Sequence, residues 1–208
     1  MIKHNANYQA TRPTDRLDPV PAGAYVAGII GAKSEDTGSG ERLTVQVEII
    51  EGEFTGYYKK LYDSQSGGQY AARYKGTYSV PIPDGTPADA WKERRLNGLI
   101  YALEDSNPGY KWDWDETKLK GKTVGINVRE RDWIMEDGAD GYRTGTTTEI
   151  GALVDANKVR EGKIKPMRKR ELSDADREKL EGQAAEPVSA EPAATSQSFI
   201  AVDTELPF

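Results

Sequence analysis

The chain predicts a mainly β domain of five strands, with one helix between the third and fourth and an acidic low-complexity tail. Three observations carry this. Alternating apolar and polar residues recur between Gly-, Asp- and Ser-rich turns, most clearly over residues 41–50, where Leu43, Val45, Val47 and Ile49 face one way and Thr44, Gln46 and Glu48 the other. One stripe of helical spacing, Leu96, Leu99, Ile100 and Leu103 with Trp91 one turn earlier, stands mid-chain and is expected to be buried. Residues 182–198 hold no aromatic and one large aliphatic, Val188, too little apolar surface to offset the entropy of folding.

Residues 1–20 are polar and broken by Pro13 and Pro19, with Pro21 following, and read as an irregular lead-in. Residues 23–33 form the first strand, and the run Ser34 to Gly40 is a turn. After the second strand, Glu51-Gly52-Glu53 turns the chain into residues 57–63, whose period of two predicts a third strand. Residues 64–86 are Gly-, Tyr- and Pro-rich and read as an irregular insertion. The helix is expected over residues 87–104, with Thr86 as N-cap, Pro87 in the first turn and Asp89 near the positive end of the dipole. Ser106 to Gly109 stops it. Strands follow over 123–134, with Val124, Ile126 and Val128 on one face, and over the Thr-rich 142–153. Three strands, a helix, then two strands is the layout of the OB-fold, a small Greek-key barrel. A generic α+β or β-sandwich domain shares the same local signals. The domain is placed at 21–155, a charged connector at 156–181 with a short helix over 173–180, and the tail at 182–208.

Bulk properties exclude several functions. Of 208 residues none is cysteine, which removes disulfides, zinc knuckles, thiolate catalysis and Fe–S ligation. His4 is the sole histidine, so His-based triads and His-rich metal sites are not expected. No phosphate-binding Gly-rich loop ending in Lys-Ser/Thr occurs, and Asp113 and Asp115 lack the context of a two-metal site. The chain is read as a non-enzyme without cofactors. It has no apolar run of the ~18 residues a membrane helix needs, and residues 1–15 lack a signal-peptide core, so a cytoplasmic location is expected. The net charge of -6 is unevenly spread: residues 171–208 carry nine acids and two bases, the rest 26 bases and 25 acids. A neutral-to-basic body with an acidic tail suits a nucleic-acid binder, and equally any domain with a solubilising tail.

Non-specific single-strand binding needs cations that track the backbone and flat rings on which bases stack. Tyr57, Tyr58, Lys59, Lys60 and Tyr62 supply both, followed by Tyr70, Arg73, Tyr74, Lys75 and Tyr78. On a strand, Tyr58, Lys60 and Tyr62 share one face. Arg129, Arg131 and Trp133 alternate along the fourth strand as a second half of a groove, with Arg143 on the last strand and Lys165, Arg168, Lys169 and Arg170 beyond it. The bland alternatives are tyrosines packed in the core or rim, and a solvated sheet face paired to neighbouring acids.

The chain ends in Asp203, Thr204, Glu205, Leu206, Pro207 and Phe208. An apolar ring and the terminal carboxylate share one residue, a known form for peptide capture. This tip resembles the acidic tail of bacterial and phage single-stranded DNA-binding proteins, though Thr204 separates the acids. Pro21 to Asp63, with its Gly-x-Tyr start, Leu-x-Val-x-Val-x-Ile alternation and Glu-Gly-Glu turn, together with Leu119-Lys120-Gly121-Lys122 entering a Val-rich strand, resembles a family of phage OB-fold single-stranded DNA-binding proteins. The resemblance implies single-stranded DNA as ligand and recruitment of replication or recombination proteins by the tip, in a host cytoplasm. Self-association is left open. A phage assembly module that only docks on a protein, and a recombination accessory nuclease, are the alternatives.

Overall fold

A computed structural model describes residues 17–38, 40–65, 73–86, 89–137 and 141–185. The chain is mainly β, a five-stranded antiparallel sheet ordered β3-β2-β1-β4-β5. Its strands are β1 (Gly23–Asp36), β2 (Glu41–Ile49), β3 (Thr77–Pro81), β4 (Thr123–Glu136) and β5 (Tyr142–Val154). Joining the two edges, β3 and β5, would close an OB-type barrel. Among the described residues no ladder joins them, but the two strands approach within 8 Å between Cα atoms.

β1 serves two neighbours. Its first half, Gly23 to Gly28, pairs with β4, and from Ala27 onward it pairs with β2. A bulge between Ile29 and Gly31 inserts Ile30, which turns outward and is 44% exposed. Such an extra residue bends and twists a strand, and here lets one strand enter both halves of the sheet. The alternating residues named above fill the interior: Leu43, Val45, Val47 and Ile49 from β2, Val124, Ile126 and Val128 from β4, all 2% exposed or less. A second bulge, at Gly151, opposes Asn127/Val128 and brings both Ile150 and Leu153 inward. The helix α2 (Ala90–Ser106) lies between β3 and β4 and buries Leu96, Leu99, Ala102 and Leu103 against the core. Trp91, expected in that stripe, is exposed, because its separation from Leu96 turns it away from the buried face. Its entry is held by the buried Asp89, whose carboxylate accepts from the Asp84 N–H and pairs with Lys92, rather than by a Thr86 side-chain cap.

The largest departure from expectation is residues 57–65. They form a helix, α1 (Tyr57–Gln65), and the third strand is 77–81, within the stretch read as an irregular insertion. Over so short a run, period two and period 3.6 compete: Tyr57, Tyr58, Leu61 and Tyr62 also have i, i+4 spacing. The decision is made from outside the run. Glu48, on the polar face of β2, accepts from the N–H groups of Tyr58 and Lys59 at 2.9 and 2.6 Å. Its carboxylate thereby satisfies two of the donors a helix start leaves orphaned and meets the positive end of the dipole. Tyr58 is consequently a core residue, 6% exposed, and Tyr58, Lys60 and Tyr62 do not share a strand face. Gly76 enables the next step, because a Cβ there would lie 2.3 Å from the Val47 carbonyl and 2.8 Å from the Tyr58 ring.

After β5, Asp155 caps a short helix, α3 (Ala156–Arg160). The chain then returns along β4, where Arg170 N–H donates to Glu130 and Asp132 N–H donates to Arg170, beyond the point where β1 stops. A final helix, α4 (Asp174–Ala185), starts at the expected place and runs past 182, so the first residues assigned to the tail are helical.

Candidate nucleic-acid interface

A groove of about 1020 Å³ runs along the open seam. One wall is β3 with Thr77, Tyr78 and Ser79; the other is β4 and β5 with Arg129, Arg131 and Thr147 to Gly151. Tyr57, Tyr58 and Leu61 of α1 and Leu17 to Pro19 of the lead-in close one end. Five cations line it, Lys75, Arg95, Arg129, Arg131 and Arg170, against two acids, Asp18 and Glu149.

The centre of positive charge is built around Glu149. Arg129 donates to its Oε1 through Nε and Nη2 at 2.9 and 2.7 Å, Arg131 reaches Oε2 at 3.4 Å, and Arg170 lies at 3.6 Å. Cross-strand register explains the convergence: Arg129 faces Glu149 directly and Arg131 faces Thr147. One carboxylate cannot neutralise three guanidiniums. The cluster keeps a surplus of positive charge with forked donors already held in place, the geometry that suits a phosphodiester. Arg95 sits 5.7 Å over the Tyr78 ring on the opposite wall.

Arg131 and Arg170 also line a second depression of about 560 Å³ along the β4–β5 arm, with Trp133 and Tyr142. Trp133 packs against Gly145, its cross-strand partner, where an added Cβ would meet the indole at 2.6 Å. That depression is lined by three cations, Arg131, Arg170 and Lys179, and four acids, Asp132, Glu136, Glu171 and Asp176, so only Arg131 and Arg170 link the positive seam to its half-buried indole.

The expected residues divide accordingly. Tyr57, Lys75, Arg129 and Arg131 line the groove and are open to it to different degrees, while Tyr58 lines its floor from the core. Trp133 belongs to the adjoining depression. Of the other tyrosines, Tyr74 is structural and Tyr62, 38% exposed, lies outside the groove lining. Rings run in contact from Tyr25 through Phe54, Tyr57, Tyr58 and Tyr74 to Tyr62, at centroid distances of 5.4 to 6.5 Å. The Tyr74 hydroxyl reaches Glu48 at 2.8 Å and the Val47 carbonyl at 3.0 Å. Burial and that carboxylate push its pKa far up, and burial does the same to Tyr58, so neither ionises at ordinary pH. Lys59 is spent on Asp63 at 2.8 Å, Lys60 lies 3.5 Å from the Thr55 carbonyl, Arg73 is exposed away from the groove lining, and Arg143 pairs with Asp137 at 3.4 Å. Tyr70 and the tip from Asp203 to Phe208 lie outside the described residues.

Sequence reasoning did not single out Arg95 or Glu149. Arg95 reads as one more polar residue of an amphipathic helix, and Glu149 as an acid on a Thr-rich strand. Cross-strand pairing of Glu149 with Arg129 was legible only once register was known. Among the described residues no group of three or more His, Asp or Glu side chains could hold a metal ion, and no helix is long and apolar enough to cross a membrane. The sequence matches no protein-family model, and a search of curated proteins finds no significant match.

Proposed function

We propose that the chain binds single-stranded DNA without base specificity, along the β3–β5 groove and onto the β4–β5 arm, as a non-enzymatic component of replication or recombination. The observation that carries this is the three-arginine cluster on Glu149, set in a groove whose lining is five to two in favour of cations. Backbone phosphates would exchange with Glu149 for the guanidiniums, and Trp133 and the open part of Tyr57 offer stacking faces. The sequence-level resemblance to phage OB-fold single-stranded DNA-binding proteins points the same way. The acidic tip would recruit partner proteins of that machinery, and its charge makes it a competitor for the groove when DNA is absent.

Photocrosslinking with a 5-bromo-deoxyuridine oligonucleotide tests the location. Adducts mapping to Tyr57, Tyr78, Trp133 or the segments beside them support the reading. Adducts confined to Trp91, Tyr101 or Trp114, outside the groove, would place the nucleic acid elsewhere, and absence of adducts with measured binding near zero would favour the protein-docking alternative.

A further inference from the structure

The outward face of α2 is unlike that of a solvated helix. Trp91 is 48% exposed and Tyr101 64%, and Arg94, Gly98 and Asp105 are exposed between and beyond them. Their spacing of three, four, three and four residues is a heptad seam, spanning roughly 80° of helix surface at 100° per residue. It lies opposite the face that buries Leu96, Leu99 and Leu103, so the fold does not consume it.

Gly98 is the second observation. Glycine inside a helix costs about 1 kcal/mol relative to alanine. Nothing among the described residues requires it, since an added Cβ would meet no atom of theirs within 4 Å. A residue without a side chain at the centre of an exposed aromatic seam permits close approach from outside. The charges say what approaches. Arg94 lies toward the N-terminal end and Asp105 toward the C-terminal end; neither side chain makes a hydrogen bond or close ion pair with another described residue, and Lys111, which acts on Asp105 through space, is itself paired with Glu104. A second copy of α2 crossing antiparallel at Gly98 would set Arg94 across from Tyr101 and Asp105 of its partner, twice by symmetry.

We infer that α2 is the seam of a symmetric dimer of this chain, centred on Gly98, with Trp91 and Tyr101 as its apolar contacts and reciprocal Arg94–Asp105 pairs setting its orientation. Enclosed Trp and Tyr side chains bury roughly 150–250 Å² each. With about half of each ring pair still open, two copies have on the order of 500 Å² of aromatic surface to cover, below the ~1,600 Å² of a standard interface, so a weak, concentration-dependent dimer is expected. Arg95, on the same helix, reaches the groove, so the two grooves would flank one seam. The inference does not depend on what the groove binds.

Sedimentation equilibrium of the full chain without DNA, from about 1 to 100 µM, tests it. The expected result is a monomer–dimer equilibrium, weakened about tenfold or more by Arg94→Asp and by Asp105→Arg separately. The double variant R94D/D105R should return to within about threefold of the parent. An equimolar mixture of the two single variants should form a heterodimer that neither forms alone. Circular dichroism of each variant verifies that α2 is retained. A chain monomeric at 100 µM, or a dimer indifferent to both single substitutions, would overturn the proposal.

Discussion

Replacing Arg131 by glutamine should change how DNA binding responds to salt, by an amount the groove fixes in advance. Five cations and two acids line it, a surplus of three. For single strands the logarithm of affinity falls with the logarithm of salt by about 0.7 per neutralised phosphate, so three phosphates give a slope near −2. From 50 to 200 mM salt that is a loss of about 20-fold. Arg131 is loosely committed, 3.4 Å from Glu149 through one nitrogen, whereas Arg129 makes two short bonds; unlike Arg170, Arg131 has its backbone held within the β4–β5 ladder. Arg131→Gln therefore removes about one phosphate contact: the slope should fall to about −1.4 and the same salt step should cost only about 7-fold. Glu149→Gln does the opposite. It removes the carboxylate that competes with phosphate, raising affinity and steepening the slope toward about −2.8. Fluorescence anisotropy of a labelled oligo-dT at four or five salt concentrations measures both. Equal slopes in all three proteins would refute the electrostatic account of the groove, whatever their absolute affinities.

Glu48→Ala should lower stability by about 2–3 kcal/mol in denaturant unfolding, because it strips a charged acceptor from two helix-start N–H groups and the Tyr74 hydroxyl at once. A loss under about 1 kcal/mol would mean α1 is held by packing alone. Gly145→Ala drives a methyl into the Trp133 indole. Affinity for oligo-dT should drop about fivefold, within the ~1–3 kcal/mol that one stacked base contributes, while the melting temperature barely moves. Deleting residues 199–208 should leave oligo-dT affinity equal or higher, since it removes the acidic tip; a clear loss in the same titration would show the tip contributes to binding instead.

How far the sequence could be read depends on where each decision is made. The alternation of Leu43, Val45, Val47 and Ile49 is local chemistry, and the strand it announces is there with the expected face inward. The same holds for Val124, Ile126 and Val128 and for the stripe of α2 from Leu96 onward, with Trp91 standing outside it. Residues 57–65 failed because their apolar spacing fits both periods, and the arbiter, Glu48, lies on a different element. Moving the third strand to 77–81 followed from the same error. For the site, cation positions were visible and partners were not. Arg129 and Arg131 share a face by simple alternation, but their convergence on Glu149 requires the β4–β5 register, and Arg95 enters only because α2 crosses above Tyr78. Tyrosines were over-assigned, since composition cannot separate a stacking platform from the packed ring series that α1 creates.

The most direct test of the central claim is a titration of labelled oligo-dT with the full-length chain at low salt, competed by unlabelled oligo-dT and by duplex of equal length. The account predicts saturable binding that single strand displaces and duplex does not, weakened by Arg131→Gln. Absence of binding at low salt, in the full chain and in the variant lacking residues 199–208 alike, would contradict it.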